Sequence, residues 1–340
     1  MENILVMGGS GFVGAHVCEK LVRQGWHVTV PTQREANARH LQHLPLLTVL
    51  ELDVHDEVAL KRALAGKDAV VNLVAILHGN QAAFEKVHVA LPQKLARACI
   101  AAGVKRVVHI SALGADAQQP QSAPSMYLRS KGQGEAVLMQ AAAGAGAGAT
   151  ARVGFELTIL RPSVMFGAGD KFLNVFAGLQ TVFPVMPLAG AHARFQPVWV
   201  EDVATAVVRS LARGNALAPA ASAPRVLELC GPDVFTLQQL VQLAGQLSGI
   251  RRGLGRPVIP LPRWLGRLQA RLMELAPGEP LMSRDNLDSM QRDNVASGRL
   301  PGLQSLGITP AALRPIAQDY LTQNQPGRGL LGLRRRYHRR

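Results

Sequence analysis

Residues 4–14 read ILVMGGSGFVG, and they carry the strongest indication of the fold. Its first four residues are apolar and are typical of a buried strand. Gly8, Gly11 and Gly14 follow at three-residue intervals, and residues 12–24 continue with the apolar spacing of a helix. A glycine-rich turn that joins a first strand to a first helix predicts a dinucleotide-binding site at that turn.

Each glycine has a separate role in such a turn. Gly8 permits the tight turn, Gly11 lets the backbone come close to a pyrophosphate, and Gly14 permits close packing of helix and sheet. The free N–H groups at the helix N-terminus carry a positive partial charge that favours phosphates. The predicted cofactor contacts in this segment are Gly8, Ser10, Gly11, Phe12, Val13 and Gly14.

The rest of the first half alternates short apolar runs with helical stretches. The predicted strands are 27–30, 49–52, 68–74, 106–110 and 157–160, and the predicted helices are about 59–64, 90–102 and 125–142. Continuous apolar strands that alternate with helices are typical of a parallel sheet covered on both faces. The predicted fold class is therefore α/β, with a Rossmann-like doubly wound parallel sheet.

The pattern loosens after residue 165, where proline and glycine become frequent. We predict a nucleotide-binding domain over 1–165 and a smaller, irregular C-terminal lobe over 166–322, interleaved with the last strands of the sheet. A basic tail follows over 323–340. The low-complexity run 141–151, AAAGAGAGATA, is predicted to be a surface loop.

Composition excludes several classes of protein. The 340 residues are 48% hydrophobic and 18% charged, which excludes wholesale disorder and a collagen-like fibre. The formal net charge is +14, and residues 328–340 contain six arginines and no acid. No run of 18 apolar residues is present, so no membrane-spanning helix is expected. The widely spaced cysteines, Cys18, Cys99 and Cys230, are expected to be reduced thiols.

The end of the second predicted strand indicates which dinucleotide binds. An NAD-preferring site usually has an acid about 20 residues after the glycine turn, where it binds the ribose 2′-hydroxyl. Here that position reads Thr32-Gln33-Arg34, with no acid. Arg34 can pair with a 2′-phosphate while Thr32 supplies a hydroxyl, so the sequence favours NADP(H) over NAD(H). Asp53 and Val54, after the third strand, are predicted to flank the adenine.

Further segments carry a family resemblance. The chain resembles the extended short-chain dehydrogenase/reductase superfamily, of the NAD-dependent epimerase/dehydratase type, in the order of Gly8-x-x-Gly11-x-x-Gly14, Ser111, Tyr127-x-x-x-Lys131 and Arg161-Pro162. It resembles more narrowly the atypical branch that includes the NADPH-binding accessory subunit of respiratory complex I. That resemblance extends from about residue 3 to 320 and is carried by VPTQRE, NLVAILHG, HISALGAD, YLRSKGQGE, RPSVMFGAGDKFLN and ARFQPVWVEDVA.

The resemblance implies a Rossmann-like domain with a small C-terminal lobe, and NADP(H) as the nucleotide. It implies that Val74 and Ala75 line the cofactor after the fourth strand and that Lys131 reaches the nicotinamide ribose. The residues that it implies beside the nicotinamide are Pro162, Ser163 and Val164.

Ser111, Tyr127 and Lys131 are the predicted catalytic residues. Tyr127 and Lys131 are four residues apart, so both face one side of a helix, and an ammonium beside a phenol lowers the pKa of the phenol. Tyr127 would exchange a proton with a substrate oxygen while a hydride moves, and Ser111 would hold that oxygen. The main hypothesis is an NADP(H) oxidoreductase that acts near the membrane or in quinone metabolism.

An alternative hypothesis follows from the same resemblance, because the complex I subunit holds NADPH without turning it over. The chain would then be a catalytically silent, nucleotide-stabilised accessory or assembly factor of a respiratory or ubiquinone-synthesis complex. No metal site is expected. No nucleic-acid partner is expected either, because the sequence has no aromatic stacking platform or recognition motif.

Two basic segments bear on location. Residues 263–275 read RWLGRLQARLMEL, a basic amphipathic helix that either lies in a membrane interface or packs its apolar face against the sheet domain. The arginine-rich tail would add attraction to an anionic membrane surface. We expect a cytoplasmic protein, or one peripheral on the cytoplasmic face of the inner membrane.

Overall fold

The structure is a computed structural model that describes residues 2–144, 154–212, 224–275 and 282–323. The basic tail and most of the low-complexity run lie outside the described residues, so both predictions stay predictions.

The strands are β1 (Asn3–Met7), β2 (His27–Thr32), β3 (Leu47–Glu51), β4 (Ala69–Asn72), β5 (Arg106–Ile110), β6 (Glu156–Pro162), β7 (Met165–Phe166), β8 (Met186–Ala189), β9 (Arg194–Phe195), β10 (Val198–Trp199), β11 (Arg225–Leu229), β12 (Phe235–Thr236) and β13 (Val258–Leu261).

The helices are α1 (Phe12–Arg23), α2 (Glu57–Leu64), α3 (Gln81–Glu85), α4 (Leu91–Ala102), α5 (Met126–Ala142), α6 (Leu173–Val182), α7 (Val200–Leu211), α8 (Leu237–Leu247), α9 (Arg263–Glu274), α10 (Arg284–Ser289) and α11 (Leu313–Gln323). A π-helical turn, Lys86–Ala90, joins α3 to α4. None of the helices within the described ranges is long and apolar enough to cross a membrane.

The described residues form two compact units, each made of several chain segments. Unit 1 comprises Met1–Pro162, Val200–Leu229 and Ala296–Thr309, and unit 2 comprises Ser163–Trp199, Cys230–Val295 and Pro310–Arg340, in each case for their described residues. The predicted domain boundaries at residues 165 and 322 stay a prediction.

Unit 1 is built on a seven-stranded parallel sheet with the order β11-β6-β5-β4-β1-β2-β3. This order contains the 3-2-1-4-5-6 arrangement of a doubly wound fold, so the predicted fold class is confirmed. The edge strand β11 was not predicted, because its five residues, RVLEL, lie in a stretch broken by proline and glycine. From β1 the chain moves to β2 on one side, and β4 lies on the other. Ligands of such sheets bind in the crevice beyond the strand ends at this point.

Both faces of the sheet are covered, as continuous apolar strands require. Leu5 and Met7 of β1 belong to one core with α2, α4 and α5. Ile4 and Val6 are equally buried, and they point to the opposite face because side chains alternate along a strand. Helices α1 and α7 pack together next to the sheet. This packing fixes the strand ends that carry the site.

Unit 2 contains three short strand pairs with helices around an apolar core. β7 pairs with β10 and β8 with β13, both in parallel, whereas β9 and β12 are antiparallel. Helices α6, α8 and α11 contribute buried side chains such as Leu173, Leu240 and Leu321 to its core.

Cys18, Cys99 and Cys230 are buried, and they form no disulfide within the described part of the chain. Burial raises the pKa of Cys18 and of Cys99 to about 12, so these two thiols stay protonated and unreactive at neutral pH.

Candidate nucleotide site

The glycine turn lies between β1 and α1, at the centre of the sheet. Gly8 has a φ of +77°, which glycine adopts without strain, and the N–H of Gly11 donates to the carbonyl oxygen of Gly8 at 3.1 Å. A Cβ at Gly8 would lie 3.1 Å from the backbone carbon of Leu73, which follows β4. The turns after the two central strands therefore approach each other at the predicted crevice.

Gly14 lets helix α1 begin directly against this turn. A Cβ at Gly14 would lie 2.2 Å from the carbonyl oxygen of Gly8 and 2.5 Å from Cα of Gly9, closer than real atoms come. Gly11 caps the helix without a side-chain hydrogen bond, and the first turn contains no acid. The N–H groups at this end are thus left for an anion, and the turn fits a pyrophosphate. Phe12 and Val13 form the first turn of α1, and Ser10 lies within the loop before it.

The end of β2 places Arg34 on the surface. Thr32 is buried, and its hydroxyl donates to the carbonyl oxygen of Arg34 at 3.2 Å, which fixes the backbone there. The Arg34 side chain is exposed and forms no ion pair within the described part of the chain. Asp53, after β3, accepts a hydrogen bond from the N–H of His55 at 3.0 Å, which lowers the pKa of Asp53. Its carboxylate is therefore charged at neutral pH and can accept a hydrogen bond.

Two buried side chains stabilise the turn after β4. The Asn72 side-chain oxygen accepts from the N–H of Val74 at 3.2 Å, and its amide nitrogen lies 3.1 Å from Nδ1 of His109 on β5. Val54 and Val74 pack against the core, and Ala75 is exposed. Asn72 and His109 were not predicted from the sequence, although both are polar residues near the ends of apolar strands.

Ser111 and Lys131 come together at the end of β5. The Lys131 ammonium is buried and donates to the carbonyl oxygen of Ile110 at 2.7 Å, directly before Ser111. The Ser111 hydroxyl is buried and has no hydrogen-bond partner among the described residues. Buried hydroxyls are normally paired, so this oxygen is available for a ligand. Tyr127, one helical turn before Lys131, packs against a cluster that contains Ala112.

The pKa values contradict the expected coupling of Tyr127 to Lys131. Burial raises the pKa of Tyr127 to about 12 and lowers that of Lys131 to about 8. The expected lowering of the Tyr127 pKa is therefore wrong for this structure. The physical reason is that the ammonium bonds to the Ile110 carbonyl, and desolvation penalises both charged forms.

His88 is a further residue of the site that the sequence analysis missed. It lies in the π-helical turn, and its ring centroid is 5.5 Å from that of Tyr127. Its Nε2 accepts from the N–H of Ile76 at 3.1 Å, so neutral His88 carries its proton on Nδ1, 2.8 Å from the Ser130 hydroxyl. Ser130 in turn donates to the carbonyl oxygen of Tyr127 at 2.8 Å. Burial, with Lys131 nearby, lowers the pKa of His88 to about 3. A histidine within the apolar run of residues 87–91 was the available signal.

The last three predicted contacts are divided between the units. Pro162 ends β6 in unit 1, and its carbonyl oxygen accepts from the N–H of Leu113 at 3.0 Å. Ser163 and Val164 belong to unit 2, where the Asn294 side-chain oxygen accepts from the Ser163 hydroxyl at 2.6 Å and from the Val164 N–H at 3.0 Å. The other predicted contacts all lie in unit 1, at the ends of its strands and on α1 and α5.

Comparison with known proteins identifies the class. Residues 4–221 match the model of the NAD dependent epimerase/dehydratase family, and the chain belongs to this family. The resemblance seen in the sequence is thereby confirmed, and the fold is one that binds nicotinamide dinucleotides.

Particular relatives are subunits of one enzyme. The chain is 31% identical over 332 residues to NADH dehydrogenase (ubiquinone) 1 alpha subcomplex subunit 9, mitochondrial, of Rattus norvegicus. The aligned residues cover 96% of this chain and 81% of that protein. It is 27% identical over 337 residues to the subunit of the same name from Arabidopsis thaliana, with 95% and 78% covered.

Solved structures agree in fold. UDP-glucose 4-epimerase of Thermotoga maritima is 19% identical, with a TM-score of 0.67 and with 95% of this chain and 98% of that chain covered. A dTDP-glucose 4,6-dehydratase double mutant from Streptomyces venezuelae, with NAD bound, is 21% identical, with a TM-score of 0.69 and coverages of 97% and 98%.

Proposed function

We propose that the chain binds NADP(H) in unit 1 and serves as a nucleotide-stabilised accessory or assembly protein of a respiratory complex I-type or ubiquinone-synthesis complex. The observation that carries the proposal is the extent of similarity to the rat subunit, which covers 96% of the chain. The family model ends at residue 221. Similarity that continues well beyond the family's shared part supports a role shared with those subunits.

The site supports binding of the nucleotide more strongly than its turnover. The glycine turn and α1 would hold the pyrophosphate, Arg34 the 2′-phosphate, and Asp53 the adenine amino group. A bound NADPH would be able to supply a hydride. A phenol with a pKa of about 12 keeps its proton at neutral pH and transfers it with little driving force, which favours a silent role for Tyr127.

The Ser111 hydroxyl favours a second candidate, the NADP(H) oxidoreductase. Its oxygen is buried without a partner in the described chain, next to the carbonyl that receives Lys131. In this reading Ser111 orients a substrate carbonyl oxygen and Tyr127 donates a proton to it. The His88–Ser130 pair would position Tyr127 through its carbonyl oxygen.

One experiment separates the two candidates. The purified full chain is loaded with NADPH, and the reduced-nicotinamide absorbance is followed as ubiquinone analogues and a polar-lipid extract are added. We expect tight binding with no oxidation, and the same result for Tyr127→Phe and Ser111→Ala. Oxidation that both substitutions abolish, at unchanged NADPH affinity, would contradict the accessory role and support the oxidoreductase.

The proposed partner is tested separately. The chain, tagged and expressed at its natural level, is purified from gently solubilised membranes of its own host. Co-purification of NADH dehydrogenase or ubiquinone-synthesis proteins is expected, with less recovered for a variant that binds no nucleotide. Recovery of the chain alone would count against the accessory role.

We also propose that the protein is cytoplasmic and peripheral on the inner membrane.

A further inference from the structure

Helix α9 carries an apolar face that is exposed to solvent. Trp264 is 68% exposed, Leu268 50%, Leu272 61% and Leu275, which follows the helix, 77%. These positions are four, four and three residues apart, so they lie on one side of the helix. Four large apolar side chains in one exposed row are rare on a soluble surface and mark an interaction site.

The helix is attached to unit 2 by its other side. Gly266 and Ala270 are the buried residues of α9. A Cβ at Gly266 would lie 2.6 Å from Cβ of Ala189 on β8, so the glycine lets the helix pack closely against this strand. Of the two alternatives for this helix, packing of its apolar face is contradicted by the exposure of Trp264 and the leucines, because small residues do the packing.

Positive charge borders the apolar face. Arg263, Arg267 and Arg271 recur every four residues along one flank, and the three side chains are exposed. Arg267 pairs with Asp288 at 2.9 Å, whereas Arg263 and Arg271 have no ion pair among the described residues. Residues 250–275 contain six arginines and one acid, a formal charge of +5.

The neighbouring elements extend the same character. β13 pairs with β8, the strand that holds α9, and Ile259 on β13 is 52% exposed. Arg251 and Arg252, in the turn before β13, both adopt positive φ and are exposed. We call Trp264, Leu268, Leu272 and Leu275 with Arg263, Arg267 and Arg271 the α9 surface.

We propose that the α9 surface lies in the headgroup region of an anionic bilayer. The occupant is a lipid surface because an apolar face flanked by exposed arginines, of which Arg263 and Arg271 have no ion pair among the described residues, matches lipid tails below anionic headgroups. Tryptophan at the end of the row is typical of the membrane–water boundary, and arginine side chains reach from there to the headgroups. The inference concerns unit 2 and stands independently of what unit 1 does with its nucleotide.

Trp264 provides a direct probe. The chain has three tryptophans, so Trp26→Phe with Trp199→Phe leaves Trp264 as the only reporter. This full-length variant is mixed with vesicles of phosphatidylcholine alone or with phosphatidylglycerol added. We expect flotation with the anionic vesicles only, a blue shift of the Trp264 emission, and quenching by lipids brominated near the headgroup.

Substitutions on the two faces test the proposed cause. Leu268→Glu with Leu272→Glu is expected to abolish flotation, and Arg263→Gln with Arg271→Gln to weaken binding about thirtyfold. Val58→Glu is the matched control, because Val58 is 61% exposed on α2 of unit 1, and it should bind as the parent does. Unchanged NADPH affinity and an unchanged far-ultraviolet circular dichroism melt show that each variant is folded.

Three results would overturn the proposal. Binding that survives Leu268→Glu with Leu272→Glu but is lost when residues 328–340 are deleted would assign attachment to the tail. Binding to host membranes but not to protein-free vesicles would assign the surface to a protein partner. Self-association of the free chain that the same double substitution abolishes would assign it to a second copy.

Discussion

Arg34 is the exposed side chain on which the proposed preference for NADP(H) depends. It follows β2 at the position where an acid would accept the ribose 2′-hydroxyl of NAD, and Thr32 fixes its backbone by a hydrogen bond. A guanidinium forms strong, directed hydrogen bonds with a phosphate and gains nothing comparable from a hydroxyl. The selection depends on one charge, so it can be measured by removing that charge.

We therefore expect Arg34→Gln to weaken NADPH binding by about 10- to 100-fold and to change NADH binding less than twofold, since a hydrogen bond to a charged group contributes about 1.5–3 kcal/mol. Isothermal titration with both nucleotides is the measurement. Arg39→Gln, in the exposed turn that follows, is the control and should alter neither affinity. Equal losses for NADPH and NADH would contradict the assignment.

The spacing of the glycines could be interpreted from sequence alone, but the hydrogen bonds around the candidate site could not. The glycine turn depends on local spacing, so Gly8, Gly11 and Gly14 could be placed in advance. The pKa of Tyr127 could not be, because it depends on the Ile110 carbonyl that takes the Lys131 ammonium and on burial by distant segments. His88 was missed for the same reason, since its partners Ile76 and Ser130 meet only in the fold.

At the scale of elements, two bidentate ion pairs differ almost only in burial. Arg161 of β6 donates to both oxygens of Glu135 on α5, at 2.9 and 2.6 Å. Arg97 of α4 donates in the same way to Glu57 of α2, at 2.8 and 2.7 Å. The Glu135 side chain is fully buried, whereas that of Glu57 is 38% exposed.

We expect Glu135→Gln to lower the free energy of unfolding by about 3 kcal/mol, because it removes the fully buried, bidentate partner of the partly buried Arg161 charge. Glu57→Gln should cost less than about 1 kcal/mol, because water screens an exposed pair. Urea unfolding of both variants at one pH measures the difference. Equal losses would show that burial does not determine the strength of the α5–β6 pair.

Elements were predictable where the apolar pattern was long and regular. The strands at residues 3–7, 27–32 and 106–110 and the helices at 91–102 and 126–142 match the expected segments within a few residues. Strand β11 was missed because pairing with β6 stabilises it. This pairing with a distant segment leaves little hydrophobic pattern in the five residues of β11. The packing side of α9 was missed because Gly266 and Ala270 carry almost no hydropathy.

At the scale of the molecule, Glu201 ties α7 to α1, although about 180 residues of chain separate them. Its carboxylate lies 2.5 Å from Nδ1 of His16 and 2.7 Å from Nζ of Lys20. These two bonds, that of His16 first, lower the pKa of Glu201 from 4.5 to about 2. The folded state therefore binds fewer protons here than the unfolded state, so this stabilisation is complete above pH 4.5 and is lost as the pH falls toward 2.

Glu201→Gln should lower the free energy of unfolding by about 1–2 kcal/mol at pH 7, and this gap to the parent should shrink at pH 3. Urea midpoints at the two pH values give the measurement. Glu19→Gln, which removes an exposed partner of Arg23 on α1, should behave as the parent at both. A gap of the same size at pH 3 would exclude the Glu201 titration as its cause.

The interleaving of the two units affects how the protein is made. A ribosome releases β6 roughly 60 residues before β11, the strand that pairs with it at the sheet edge. At about 5–20 residues per second, that edge stays unpaired for several seconds in the nascent chain. An open apolar strand edge recruits other strands, so early termination between residues 163 and 224 should give products that aggregate or engage chaperones. Biosynthesis, more than the finished fold, is the stage at which this protein is most exposed to misassembly.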